Sequence, residues 1–136
     1  YPESDICVFA RSARERDFAL ELGASWAGDT EDQPPAPLQS IIDTTPAWRP
    51  VLAALGNLRP GGRLVINAIR KEGGDRDLLA DLNYENQLWM EKEIKSVANV
   101  TARDIDRFLR VAAEIPVQPE VQTFALEEAN AALRDL

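Results

Sequence analysis

"ICVFARSARER", residues 6–16, is the stretch that decides the fold. Ile6–Phe9 is a short apolar run of β-branched and aromatic residues, the composition of a buried strand. It stops at Ala10, and an Arg-Ser pair opens a charged, helical pattern. Ser12 stands three residues before Glu15, the capping-box spacing that satisfies orphan N–H groups where a helix begins. Phe18 and Leu22 follow four apart, and Gly23 supplies the left-handed residue that stops a helix. The stretch therefore predicts a strand, a tight turn and a helix over residues 12–22.

The same alternation continues outward. Ala24–Ala27 reads as a brief strand, and the acidic, proline-broken "GDTEDQPPAP" (28–37) as an exposed loop. Ser40–Asp43 is a strand ending in an acid. A helix follows over Arg49–Leu58, with Pro50 in its first turn, where a missing N–H costs little. "RPGG" turns the chain into Leu64–Ala68, apolar enough to be buried on both faces. Polar residues 70–77 read as a solvated loop that includes Asp75 and Asp77. Residues 78–91 read as a helix with Leu82 and Trp89 in the core, and Glu93–Val97 as a fifth strand. Thr101 and Asp104 open a helix whose Ile105, Phe108, Leu109 and Ala112 keep helical spacing. "VQPEVQTFAL" (117–126) is extended, and Leu126, Ala129, Leu133 and Leu136 place a last amphipathic helix. Strands alternating with helices and carrying near-continuous apolar runs specify an α/β fold with a parallel sheet, in which ligands meet the carboxyl ends of the strands.

Composition narrows the chemistry. The 136 residues suffice for one ordinary domain, and 45% hydrophobic with 28% charged residues is a globular balance. A net charge of −8 argues against nucleic acid, whose phosphates require a basic surface. No apolar run approaches the roughly 20 residues that span a bilayer, and no leader pattern is visible, so no membrane partner is expected. One cysteine, Cys7, rules out an internal disulfide and fits a cytoplasmic location. It lies in an apolar strand and reads as a core residue. Histidine is absent, which removes Ser-His catalysis and the commonest metal ligand. No carboxylate pair stands out for acid–base work, so no catalytic residue and no metal ligand is assigned.

The ordered set "VFARS…ALELGASWAGD", "IIDTTP", "LRPGGRLVINAI", "IKSVANVTARD" and "EVQTFALEEANAAL" resembles the coenzyme-binding part of the zinc-dependent medium-chain alcohol dehydrogenases. The resemblance covers nearly the whole chain. It implies an incomplete Rossmann-like, doubly wound parallel sheet lacking its first strand. Residues 1–114 would form a partial dinucleotide-binding domain, and 115–136 a return segment and helix. It also implies hydride transfer between an alcohol or aldehyde and a nicotinamide cofactor, with zinc held by residues outside this chain. The family's glycine-rich loop and zinc-binding domain have no counterpart here, so the chain is expected to be a fragment without activity alone. In the family the first strand lies between those read at Ile6–Phe9 and Ser40–Asp43. Its absence leaves the sheet either closed up or split, and a split would expose unpaired backbone groups at about 1–3 kcal/mol each. The strand at Glu93–Val97 lies at the family's sheet edge, which implies a homodimer through it.

Arg11 and Ser12 stand where an NAD-binding protein carries an acid for the ribose 2′-hydroxyl. Guanidinium and hydroxyl groups attract a 2′-phosphate that an acid would repel, and Arg16 lies one turn on, so NADP is favoured over NAD. The bland alternative is that Ser12 is only a cap and the arginines are solvated. Asp43, Thr44 and Thr45 end a strand over the expected groove, although Asp-Thr-Thr-Pro is also ordinary turn chemistry. By the resemblance Asn67, Ala68 and Ile69 would hold the nicotinamide carboxamide with backbone groups. Two other functions share parts of the pattern. An S-adenosylmethionine-dependent methyltransferase also uses "LRPGGRLVI" but needs an acid where Arg11-Ser12 stands. A non-catalytic dimerising module would use only the sheet edge.

Overall fold

A computed structural model describes residues 4–115, 119 and 121–135. It forms two compact units, Tyr1–Ala98 and Asn99–Leu136.

In the first unit the opening stretch folds as read. Strand β1 is Cys7–Phe9 and helix α1 is Ala13–Glu21. Ser12 Oγ accepts from the Glu15 amide and the Glu15 carboxylate accepts from the Ser12 amide, closing the capping box. Gly23 ends the helix at φ +99°, a conformation that only glycine adopts cheaply. The chain returns in β2 (Trp26–Gly28), parallel to β1, and the Phe9 and Trp26 rings pack edge to face 5.1 Å apart. Phe18 on α1 and Leu22 at its C-cap both remain exposed.

Strand β3 (Leu38–Asp43), helix α2 (Arg49–Asn57) and strand β4 (Leu58–Ile66) make a second parallel crossover, and β5 (Glu93–Ser96) pairs parallel with β4. The order is β3-β4-β5. The "RPGG" segment, read as a turn, is instead carried inside β4. Leu38 pairs with Leu58 but Ser40 pairs with Arg63, so the extra residues bulge out of the ladder. Gly61 occupies the bulge at φ +67° and donates its amide to Met90 O at 2.8 Å. The core is Val51 and Leu55 of α2 against Leu58 and Leu64 of β4, with Ile41, Trp48 and Leu88 packed around them. Each fully buried leucine is worth about 1.5–3 kcal/mol.

β1-β2 and β3-β4-β5 are two separate sheets, so the parallel strands are split rather than closed up. Between them a cavity of about 460 Å³ runs along Ile6–Phe9 on one side and Ser40–Thr45 on the other. Cys7 lines this cavity and is half-buried, so its wall is open space as well as packed side chains.

The helix read over 78–91 is broken. A 3₁₀ segment covers Arg76–Asp81, Leu82 leaves helical geometry, and Asn83 caps a new four-residue helix, α3 (Tyr84–Gln87). Asn83 Oδ1 accepts from the Asn86 amide, which competes with a continuous helix. Leu82 packs against the core as expected. Trp89 is half-exposed and packs on Tyr84 instead, because Met90 and Glu91 adopt positive φ and swing the chain outward.

In the second unit α4 is Ala102–Glu114, opened by a second complete capping box between Thr101 and Asp104. Of the extended segment 117–126, residues 117, 118 and 120 lie outside the described residues, as does Leu136. The last helix is shorter than its spacing suggests: a 3₁₀ turn at Leu126–Glu128 leads into α5, Ala129–Ala132. No helix among the described residues is long and apolar enough to cross a membrane.

Candidate functional site

Two groups of candidate residues assemble at the carboxyl ends of the first unit's strands. The first follows β1. Arg16 reaches back from α1 and donates through Nη1 to Ala10 O at 2.7 Å and Arg11 O at 2.9 Å. Its Nη1 also lies 3.6 Å from Asp29 Oδ2. Arg16 is therefore occupied in fixing the backbone of the Ala10–Ser12 corner. Arg11 is exposed and makes no ion pair among the described residues. Ser12 serves as the helix cap, and its hydroxyl and backbone amide together hold the Glu15 carboxyl below the usual carboxylate range.

The second group follows β3 and β4. Asp43, read as a ligand-facing acid, is buried, and both its oxygens are taken. Oδ1 accepts from the Thr45 hydroxyl at 2.8 Å and the Thr45 amide at 3.3 Å, while Oδ2 accepts from Lys71 Nζ at 2.5 Å. Thr44, between them, is exposed and lines the cavity. The Asn67 amide donates to Asp43 O at 2.7 Å, which brings the end of β4 beside the end of β3. Asn67 and Ile69 are exposed, Ile69 fully, and Ala68 is half-buried. Asp43, Thr44 and Thr45 border the cavity; Arg11, Ser12, Arg16, Asn67, Ala68 and Ile69 do not. The cavity is thus mainly the gap between the sheets, reaching the second group at one end.

Two residues missed in the sequence organise this end. Lys71 Nζ donates to Asp43 Oδ2, Thr45 O (2.9 Å) and Ala47 O (2.9 Å), which uses all three of its protons. It lies 5.7 Å from the centroid of the Trp48 ring and is only 11% exposed. Asp75, read as solvated, instead accepts the Arg49 and Trp48 amides at 2.8 and 2.9 Å and so caps α2. Those two bonds draw its carboxyl below the ordinary range. Neither role has a short-range signal, because each partner lies more than twenty residues away.

The donors suit an anionic, hydroxyl-rich ligand: a free guanidinium at one corner, and a free hydroxyl with adjoining backbone at the other. Metal chemistry has no such support, because the described residues bring together no group of three carboxylate, thiol or imidazole side chains.

Comparison with known proteins agrees with this architecture. No family model matches the chain. Over 133 residues it is 38% identical to a probable alcohol dehydrogenase, AdhA, of Mycobacterium tuberculosis (strain CDC 1551 / Oshkosh), covering 98% of this chain and 37% of AdhA. A cinnamyl alcohol dehydrogenase of Sorghum bicolor superposes with a TM-score of 0.66 at 22% identity, over 94% of this chain and 36% of the plant chain. Escherichia coli K-12 YhdH, solved with bound NADPH, superposes with a TM-score of 0.58 at 13% identity, over 82% of this chain and 36% of YhdH.

Proposed function

The chain belongs to the medium-chain zinc-type alcohol dehydrogenase family, and from that premise we propose that it is coenzyme-binding machinery for hydride transfer between an alcohol or aldehyde and NADP, with NAD as the poorer cofactor. It spans 37% of the length of AdhA, and the rest of the reaction's apparatus, zinc included, is assigned to residues outside these 136. The described residues bring together no carboxylate, thiol or imidazole cluster that fits a zinc site.

The observation that carries the reading is the corner after β1. Arg16 locks the carbonyls of Ala10 and Arg11, and the exposed Arg11, next to Ser12 in the chain, makes no ion pair among the described residues. A ribose 2′-phosphate would find charge-assisted partners there, whereas a 2′-hydroxyl would find no acid. Arg11 and Ser12 would hold the adenosine end, and Arg16 would keep their backbone in place. At the other end Thr44 would meet the nicotinamide ribose, and the backbone of Asn67, Ala68 and Ile69 would hold the carboxamide. When bound, the dinucleotide supplies or accepts the hydride; this chain's residues position it. A homodimer through the outer edge of β5 remains part of the proposal, supported by its place at the end of the three-stranded sheet.

Calorimetric titration of the chain with NADPH, NADH and S-adenosylmethionine tests the reading. NADPH should bind more tightly than NADH, and Arg11→Glu should weaken NADPH by about 10- to 100-fold, the loss of a hydrogen bond to a charged group. Equal affinity for the two nucleotides would remove the NADP assignment. Binding of S-adenosylmethionine alone would replace the dehydrogenase reading with a methyltransferase one.

A further inference from the structure

We propose that Lys71 is a positioning residue that sets affinity for the nicotinamide half of the dinucleotide, an inference that rests on the reading above. Lys71 stands in the loop after β4, and all three of its ammonium protons are spent on the turn between β3 and α2. It neutralises Asp43 at the end of β3 and ties down the carbonyls of Thr45 and Ala47 beyond it. The clamp therefore grips the turn on both sides of Pro46. Glu72, next in sequence, adds a backbone bond from its amide to Pro46 O at 2.7 Å.

The consequence falls on Thr44. Asp43 and Thr45 turn their polar atoms into the clamp, leaving Thr44 as the residue of this trio with its side chain outside it. The same turn carries the Asp43 carbonyl, which receives the Asn67 amide and so aligns the end of β4. One buried ammonium thus fixes both segments assigned to the nicotinamide end. It touches neither Arg11 nor Ser12, which are organised separately by Arg16. Breaking one partner of a buried ion pair leaves the other charge uncompensated, so the turn would rearrange rather than merely soften.

The independence of the two corners supplies the test. The full 136-residue chain, wild type and Lys71→Met, is titrated with reduced nicotinamide mononucleotide and with 2′,5′-ADP, the two halves of the cofactor. The wild type should bind both, and Lys71→Met should weaken the mononucleotide about tenfold or more while leaving 2′,5′-ADP unchanged. A purely structural lysine would move both affinities together. Equal weakening of both, or no change in either, would overturn the proposal and leave the dinucleotide reading standing. A wild type that binds only 2′,5′-ADP overturns it as well, and one that binds neither removes the reading beneath it. If Lys71→Met does not fold, the charge-compensated pair Lys71→Met with Asp43→Asn is measured instead. It removes both charges but not the requirement for the clamp, and the same outcomes decide.

Discussion

Asp75 is a loop carboxylate that acts at a helix 26 and 27 residues earlier, through the amides of Arg49 and Trp48. Those bonds favour its charged form, so its pKa falls on folding. The stabilisation is complete above the unfolded value of about 3.9 and fades as pH falls through the lower folded value. Asp75→Ala should therefore lower the thermal midpoint at pH 7, with the gap from wild type closing as the pH drops below about 3.9. Equal gaps at pH 7 and pH 3 would show that the carboxylate charge is not what caps α2. The residue scale is also where sequence reading separates into success and failure. Ser12 with Glu15 and Thr101 with Asp104 were legible because both partners of each box lie three residues apart and the backbone alone brings them together. Lys71 and Asp75 were not, since their partners are brought close only by the register of β3 against β4. Arg16 was half legible: its place beside Arg11 follows from helix geometry, but its use on the Ala10 and Arg11 carbonyls does not.

At the scale of elements, β4 carries the fold. It pairs on both sides and contributes Leu58 and Leu64 to the core. Leu64→Ala should cost about 2–5 kcal/mol, the usual range for emptying a packed leucine site, read from the urea midpoint. Gly61→Ala meets no neighbouring atom but requires a left-handed backbone, so its cost should be about 1–2 kcal/mol. A larger loss at Gly61 than at Leu64 would mean that the bulge, rather than the core, limits stability. The bulge itself escaped the sequence because "RPGG" has the composition of a turn, while the strand pairs on either side of it depend on β3. The broken helix at 76–87 failed for a related reason. Its apolar spacing is helical, but the Asn83 side chain offers the backbone a competing local bond.

For the first unit as a whole, the split between β1-β2 and β3-β4-β5 predicts uneven protection. Amides of β4, held between two neighbours, should exchange slowest, while those of β1, paired on one side, should exchange far sooner. Uniform slow exchange across both sheets, measured by hydrogen–deuterium exchange, would mean that the gap closes in solution. The parallel α/β class was legible from the alternation of apolar runs with capped helices. The interruption was not, because a strand's composition reports that it pairs without naming its partner.

The same gap places the chain's one thiol on its wall. Cys7 is the single cysteine among 136 residues, so a thiol reagent addresses one position without any engineering. The rate at which it reacts becomes a clock for the opening between the sheets. A peptide, nucleotide or second chain that enters there would slow that clock, and one that binds elsewhere would leave it running.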